Sequence, residues 1–559
     1  MRLPGLRRKT ERRRLFCAAL CCAAFAAPLG GQMGAPAPPA PEPGGRAGAG
    51  TPAAADAASV PVIDIHAHVF NLRYLPVRGI LVARGVPKVV AEALDRLLVG
   101  GTRLADLSRP ADELLAGDVL DVGAMEQEEA RRWILGRLQP VTADGLPDAR
   151  PGAELLTPRE RRALRKYVAP SLARADRLPG ELADADLVAE ALEVAQFDER
   201  GDTSYPRFLA TLMQDEVSNV RAARRDYPRV DLFVHHLMDM ERPYDDPPAL
   251  ANGEQIARLP RLAALFPGRL LGTVAFDPFR RDGALAVVRS AIDSGRAVGV
   301  KFYPPSGYRA GGNGLRAWPP KPSLWKFALR AQWTSRYGDW TGSRLDEINR
   351  GLFAWAAGRG VPILAHCTPE GFEAFAGSGL LSDPAHWRAV LRDFPNLRLV
   401  LAHAGGGDGE GWFSTGAWTG EDGFDQRAWD LATRFANVYL DFSYASEVLD
   451  DARLAALRDR LVALLPKDPE RSFALGHKLV YGSDWHMVAS LDRRREIFDR
   501  LWNLFSEPAL RPWRARFFAG NAARALRLDD LAASPLFDAA QRAALADLAA
   551  RVRAAEAAP

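Results

Sequence analysis

Cysteine is scarce. The 559 residues hold four, and Cys17, Cys21 and Cys22 crowd into one early apolar stretch, so Cys367 stands alone in all that follows. No disulfide framework can hold the remainder, and its stability must come from a packed core. No Gly-x-Gly-x-x-Gly turn opens a helix after the first strand-like run, which argues against an open doubly wound sheet. The apolar stretch at residues 15–27 (LFCAALCCAAFAA) is too short to span a bilayer comfortably. One-sided charge is also missing. Arg2, Arg7, Arg8, Lys9, Arg12, Arg13 and Arg14 against Glu11 give the first segment +6, which leaves −2 for the rest of a chain of formal charge +4. Nucleic-acid binding therefore has no electrostatic support outside that segment.

What is present begins with order of composition. A basic segment, an apolar stretch and a small-residue end form the pattern of a secretory signal peptide over residues 1–27, cleaved after Ala26 in the Ala-Phe-Ala triplet. ERRRLF resembles a twin-arginine export signal, which suits a protein exported already folded. The expected location is the periplasm or the exterior, free of the membrane once the leader is removed; a retained anchor is the bland alternative. Residues 28–59, rich in Pro, Ala and Gly, read as a disordered linker.

Beyond the linker, short β-branched runs recur at 62–68, 230–240, 269–278, 297–305, 361–371, 397–406, 437–444 and 478–487. Helical patterns such as GALAVVRSAIDSG (283–295) and HWRAVLRDF (386–394) fall between them. Eight strand-helix units predict an α/β fold, a (β/α)8 TIM barrel over residues 60–528, with residues 529–559 as a C-terminal helical tail. Two long gaps depart from a minimal barrel. Residues 71–203 after strand one read as a helical insertion, with Thr157-Pro158-Arg159-Glu160 as a capping box starting a helix through Tyr167. Residues 306–343 after strand four, rich in Gly, Pro and Trp, read as a lid whose Trp318, Trp325, Trp333 and Trp340 pack it.

VIDIHAHVF (62–70) raises the question of function. Strand alternation sends His66 and His68 to one side, but a lone His-x-His is weak evidence for a metal. Placement strengthens it. Barrel strands deliver their C-terminal ends to a common pocket, where His66, His68, His366 and Asp484 could meet as three imidazoles and a carboxylate suited to Zn2+ with a position open for water. His235 and His236 point to opposite sides, so at most one faces the pocket; Cys367 points away from it.

DIHAH, ILAHC, LAHAGG, YGSDW and FFAGNAARAL (517–526) together resemble the amidohydrolase superfamily of metal-dependent barrels, in its amidohydrolase-related branch, over roughly residues 60–525. The resemblance implies His66, His68, His366 and Asp484 as metal ligands, with Asp484 also the proton acceptor and donor. It implies that His403 stabilises an oxyanion or, in a two-metal site, ligates the second ion. Lys301, in VKFYPP, resembles the position where two-metal members carry a carboxylated bridging lysine; one divalent ion, zinc, is the default and two ions with carboxylated Lys301 the alternative. Tyr303, Tyr308, Arg309, Tyr444 and His486 are candidates to line the mouth, Arg309 by binding a substrate carboxylate through its fork. The expected activity is hydrolysis of an amide, ester or lactone bond of a small molecule by metal-activated water. The alternatives are a metal-dependent decarboxylase or hydratase acting on an unsaturated carboxylic acid, and a catalytically idle barrel that binds small molecules. A homo-oligomer is compatible with all three.

Overall fold

The computed structural model describes residues 60–138, 154–174, 182–195, 205–315, 341–375, 377–406, 423–466 and 469–558. The leader and linker expected over residues 1–59, and most of the lid with its four tryptophans, lie outside them. Eight strands follow the sequence reading, each shorter than its apolar run: β1 (Ile63–Ala67), β2 (Leu232–His236), β3 (Leu270–Phe276), β4 (Gly299–Phe302), β5 (Ile363–Ala365), β6 (Leu399–Leu401), β7 (Val438–Phe442) and β8 (Leu479–Tyr481). Every strand residue is buried, as expected where helices cover the outer face and side chains fill the inner one. The strands pair in parallel in chain order from β1 to β8. The seam between the ends is closed by backbone bonds from Asp484 N–H to the His66 carbonyl (2.8 Å) and from His68 N–H to the Trp485 carbonyl (3.1 Å). The ring is thus a nearly closed TIM barrel, and its last stitches lie beside the first histidines.

The lower barrel interior is apolar. Ile63, Ile65, Leu232, Val234, Leu271, Val298, Leu364, Val400, Tyr439 and Val480 form one buried cluster to which all eight strand segments contribute. Leu545, Leu548, Ala549 and Val552 of the helix Ala539–Ala557 belong to the same cluster, as do Ala522, Ala525 and Leu526 of Asn521–Leu526. The C-terminal segment is therefore the plug of the barrel's lower end, a role that its helical periodicity alone did not reveal.

β1 breaks strict alternation. Asp64 pairs with Phe233 and Ala67 with His235, so three steps on β1 match two on β2. This bulge lets Ile65 fill the interior and the next residue, His66, face the axis as well. Asp64, turned the other way, accepts from Ser483 N–H (2.9 Å) and His66 N–H (3.1 Å), clamping β1 to the segment that carries Asp484.

Between β1 and β2 the described chain is helical, from Val77–Ala83 to Glu216–Asp226. The capping box forms, with Thr157 N–H bonded to Glu160 (2.7 Å) and Glu160 N–H to Thr157 Oγ1 (3.3 Å). Its helix runs Pro158–Arg174, past the expected end at Tyr167 and through Pro170. Leu164, Val168 and Leu172 share one buried stripe, and burying the three at about 1.5–3 kcal/mol each offsets a proline penalty of about 3 kcal/mol. After β4 a short turn, Pro304–Ser306, ends at Gly307 (φ 117°), a backbone conformation that only glycine takes without strain. Among the described residues no helix is long and apolar enough to cross a membrane.

Candidate metal centre

The side chains at the C-terminal strand ends converge in two overlapping groups. His66, His68 and Asp484 form one, and His66, His403 and Asp441 the other, with the potential ligand atoms of each within 4.8 Å of one another. Hydrogen bonds fix which nitrogen each imidazole offers. His66 Nδ1 lies 2.9 Å from Asp441 Oδ2, an acceptor, so the ring proton sits on Nδ1 and the lone pair on Nε2. His68 Nδ1 lies 3.1 Å from the His236 carbonyl, with the same consequence. Both Nε2 atoms then face Asp484 Oδ1, at 3.7 Å from His66 and 3.5 Å from His68. Outer partners that hold one ring nitrogen so that the other can bind a cation are the usual support of histidine metal ligands.

The electrostatics agree with that construction. Burial, with Lys301 and the neighbouring histidines adding to it, holds His66 and His68 well below the usual imidazole range, so both are neutral. Burial pushes the Asp484 carboxyl up to about 8, against the opposing pull of Lys301. Its Oδ1 is buried and accepts no hydrogen bond among the described residues. A buried carboxyl oxygen left without a donor and facing two imidazole nitrogens fits a cation, whose charge would hold the carboxyl ionised and accept both lone pairs.

Backbone strain gathers at the same strand ends. His403 (φ 55°), Ala404 (48°), Tyr444 (56°), Asp484 (55°) and His486 (91°) adopt positive φ just after β6, β7 and β8. Each costs on the order of 1 kcal/mol, and such outliers persist where the surrounding structure holds them for a site.

The other expected residues are distributed as follows. His366 stands in neither ligand group; its ring centroid is 5.0 Å from that of His403, and its Nε2 is engaged by the Glu370 carbonyl (2.7 Å) and Thr368 Oγ1 (2.9 Å). Its available lone pair is therefore on Nδ1. Lys301, buried, places Nζ 3.0 Å from His66 Nε2. His236 turns inward, its ring 4.8 Å from that of His66, with Nε2 donating to the Ile65 carbonyl (3.0 Å), whereas His235 on the other face accepts from Val69 N–H (3.1 Å). Tyr303 accepts from Phe372 N–H (2.6 Å) and its ring lies 4.8 Å from His366, in the wall of the site. Tyr308 is a core residue, its hydroxyl donating to the Phe276 carbonyl (3.0 Å). Arg309 is fixed through its backbone to Asn313 and Asn349. Tyr444 is half-buried, its carbonyl accepting from Ser446 N–H (2.8 Å). His486 sits among Phe70 and Phe208, ring centroids 5.0 and 5.3 Å away.

Two residues escaped the sequence reading. Asp441 and Ser443 both point into the site from β7 and its end, and Asp441 accepts from His66 Nδ1–H and from His403 N–H (3.0 Å). The signal was present in NVYLDFSY: on a strand, residues 441 and 443 share a face, and the flanking strands carry His403 and Asp484.

An eight-stranded parallel barrel with imidazoles and carboxylates at its C-terminal rim defines the class of metal-dependent barrel enzymes. The amidohydrolase family model matches residues 63–528, and the chain belongs to that family of metal-dependent enzymes. No curated protein matches the chain. Among solved structures, a TIM-barrel protein of Bordetella bronchiseptica is 16% identical, with 56% of this chain and 84% of that one covered and a TM-score of 0.34. A zinc-bound amidohydrolase of Burkholderia multivorans is 13% identical over 57% and 91% of the two chains, TM-score 0.35. A 2,6-dihydroxybenzoate decarboxylase of Rhizobium is 16% identical over 55% and 88%, TM-score 0.32.

Proposed function

We propose that the protein is a metal-dependent hydrolase that cleaves an amide, ester or lactone bond of a small molecule. The observation that carries this reading is the Asp484 oxygen without a donor, set 3.5 and 3.7 Å from two imidazole lone pairs whose other nitrogens are tied back. His66, His68 and Asp484 would hold the ion, zinc by donor type, with His366 Nδ1 as the further candidate. When bound, the ion supplies Lewis acidity toward a substrate carbonyl and lowers the pKa of water. The chain's own residues supply the proton traffic. Asp484 uses Oδ1 toward the histidines, which leaves Oδ2 to take the proton of the attacking water and return it to the leaving group.

Lys301 separates one ion from two. An ammonium 3.0 Å from His66 Nε2 addresses the lone pair that the ion would need, and a divalent cation taking that lone pair would repel it. Either Lys301 would swing away from a single ion, or reaction of its neutral amine with CO2 would turn it into a carbamate anion able to serve as a ligand in a two-ion site. The test combines metal analysis of the purified protein, mass spectrometry of the Lys301 peptide for an added CO2, and assays on cyclic amides, lactones, esters and aryl carboxylates. Stoichiometric zinc with hydrolysis, both lost in Asp484→Asn, is the expected result. CO2 release without hydrolysis would make the protein a decarboxylase, and absence of any transition metal would make it an idle binding barrel.

A further inference from the structure

We propose that Trp485 is a positioning residue for Asp484: its indole N–H, bonded to the buried Asp226 carboxylate, holds Asp484 in a strained backbone and keeps Oδ1 turned toward His66 and His68. The problem that such an anchor solves is local. β8 ends at Tyr481, so Asp484 stands beyond the strand, on a turn with φ 55°. A residue other than glycine relaxes from that conformation unless the chain on both sides of it is fixed. Behind Asp484, the Ser483 N–H is bonded to Asp64 Oδ1 at 2.9 Å. Ahead of it comes Trp485, whose ring is buried and whose Nε1–H donates to Asp226 Oδ2 at 3.0 Å. Asp484 is therefore suspended between two buried carboxylates, neither of them in a ligand group.

Asp226 is itself held from the far side. It ends the helix Glu216–Asp226, and its carboxylate accepts from Arg494 Nε (3.1 Å) and Nη2 (3.0 Å) on Oδ2 and from Arg495 Nε (2.8 Å) on Oδ1. Both arginines open the helix Arg494–Leu504, and Arg494 lies so close over Gly123 that a Cβ there would overlap its guanidinium. A charged acceptor fixed in this way makes a strong bond to a neutral N–H. Trp485 passes the fixity to the site through its own backbone. Its N–H donates to Ser483 Oγ (2.8 Å), and its carbonyl accepts from His68 N–H (3.1 Å). The indole bond thus sets the peptide that follows Asp484 and the one that carries His68, from outside the pocket. Removing an outer partner of metal ligands weakens metal binding by about 10–100-fold. The inference rests on the metal centre of the hydrolase reading and not on which bond the enzyme cuts.

The experiment measures two quantities on the full chain: the zinc dissociation constant, by competition with a chromophoric chelator, and the urea midpoint of the metal-free protein. Two replacements of Trp485 are compared with the wild type. One is Trp485→Phe. The other is the isostere in which sulfur stands in place of the indole N–H, introduced at position 485 by stop-codon suppression. The isostere decides, because it removes the donor, keeps the core filled and leaves Asp226 paired with both arginines. Both replacements should raise the zinc dissociation constant by about tenfold or more. A merely structural tryptophan would lower the midpoint and leave the dissociation constant where it was, and that result overturns the proposal. Weaker zinc binding in Trp485→Phe with wild-type binding in the isostere assigns the effect to packing and overturns it too. A wild type that takes up no zinc would overturn the metal centre and the proposal together. A wild type that binds zinc, with an isostere of equal affinity, overturns the proposal alone.

Discussion

The ring of His486 is buried to 1% exposure with neither nitrogen hydrogen-bonded among the described residues. Burial, with His235 adding to it, holds its pKa down at about 3, so near neutral pH it is an uncharged imidazole with one N–H and one lone pair, both unmatched. Each buried polar group without a partner costs about 1–3 kcal/mol. His486→Phe removes both, keeps a flat ring against Phe70 and Phe208, and leaves the strained φ of 91° as it was. The phenyl ring is slightly larger, and overpacking returns about 1–3 kcal/mol. The balance is a net gain of roughly 1–2 kcal/mol. In urea, where ΔG falls by about 1–3 kcal/mol per molar for a small protein and more steeply for a larger one, the midpoint should rise by about a few tenths of a molar at unchanged slope. A lowered midpoint would refute the reasoning, since it would mean that the ring nitrogens have a partner whose loss costs more than their burial. Turnover measured on the same variant adds a second reading: a more stable protein with reduced activity would place His486 against substrate, in line with the trade-off between a strained site and stability.

Two further outcomes follow from the site's wall and from the barrel's lower end. Gly371→Ala should lower activity by about tenfold or more, because a Cβ there would press on the Tyr303 hydroxyl and stand 3.1 Å from His366 Nε2 on a backbone of φ 130°; the crystal structure of the variant should show the Glu370 carbonyl displaced from His366, and a variant with full activity would contradict this. Lys478, whose Nζ donates to the Ala436 carbonyl beneath Tyr439 and Phe473, has its pKa lowered to about 8 by burial first and Arg524 second. The folded protein then loses this proton before the unfolded chain does, so stability should rise with pH between about 8 and 10.5, by about 3 kcal/mol at most, and the rise should be absent from Lys478→Met in matched denaturation curves.

The barrel was legible because every strand, even the three-residue β5, β6 and β8, sits inside a longer β-branched run that must be buried on both faces. His66, His68 and Asp484 were legible because each stands at a strand end, where position alone implies a shared pocket. The bulge in β1 was not, since a period of two has no place for Ile63, Ile65 and His66 facing inward together. Asp441 was not legible for a different reason. An aspartate within a strand declares its role only through its partner, and that partner, His66, lies 375 residues away.

Lys301 shows where position gives way to electrostatics. Its place in β4 was readable, and so were the two roles it could take there. The geometry narrows the matter, because Nζ and an ion would claim the same Nε2 lone pair of His66, whose other nitrogen is held by Asp441. His66 cannot turn to serve both without breaking the Asp441 bond, and Asp441 cannot yield without freeing Ser443 and the His403 backbone. The histidine is therefore the fixed member and the lysine the one that must change, by moving or by exchanging its ammonium for a carbamate. The number of ions thus reduces to the chemical state of one amine.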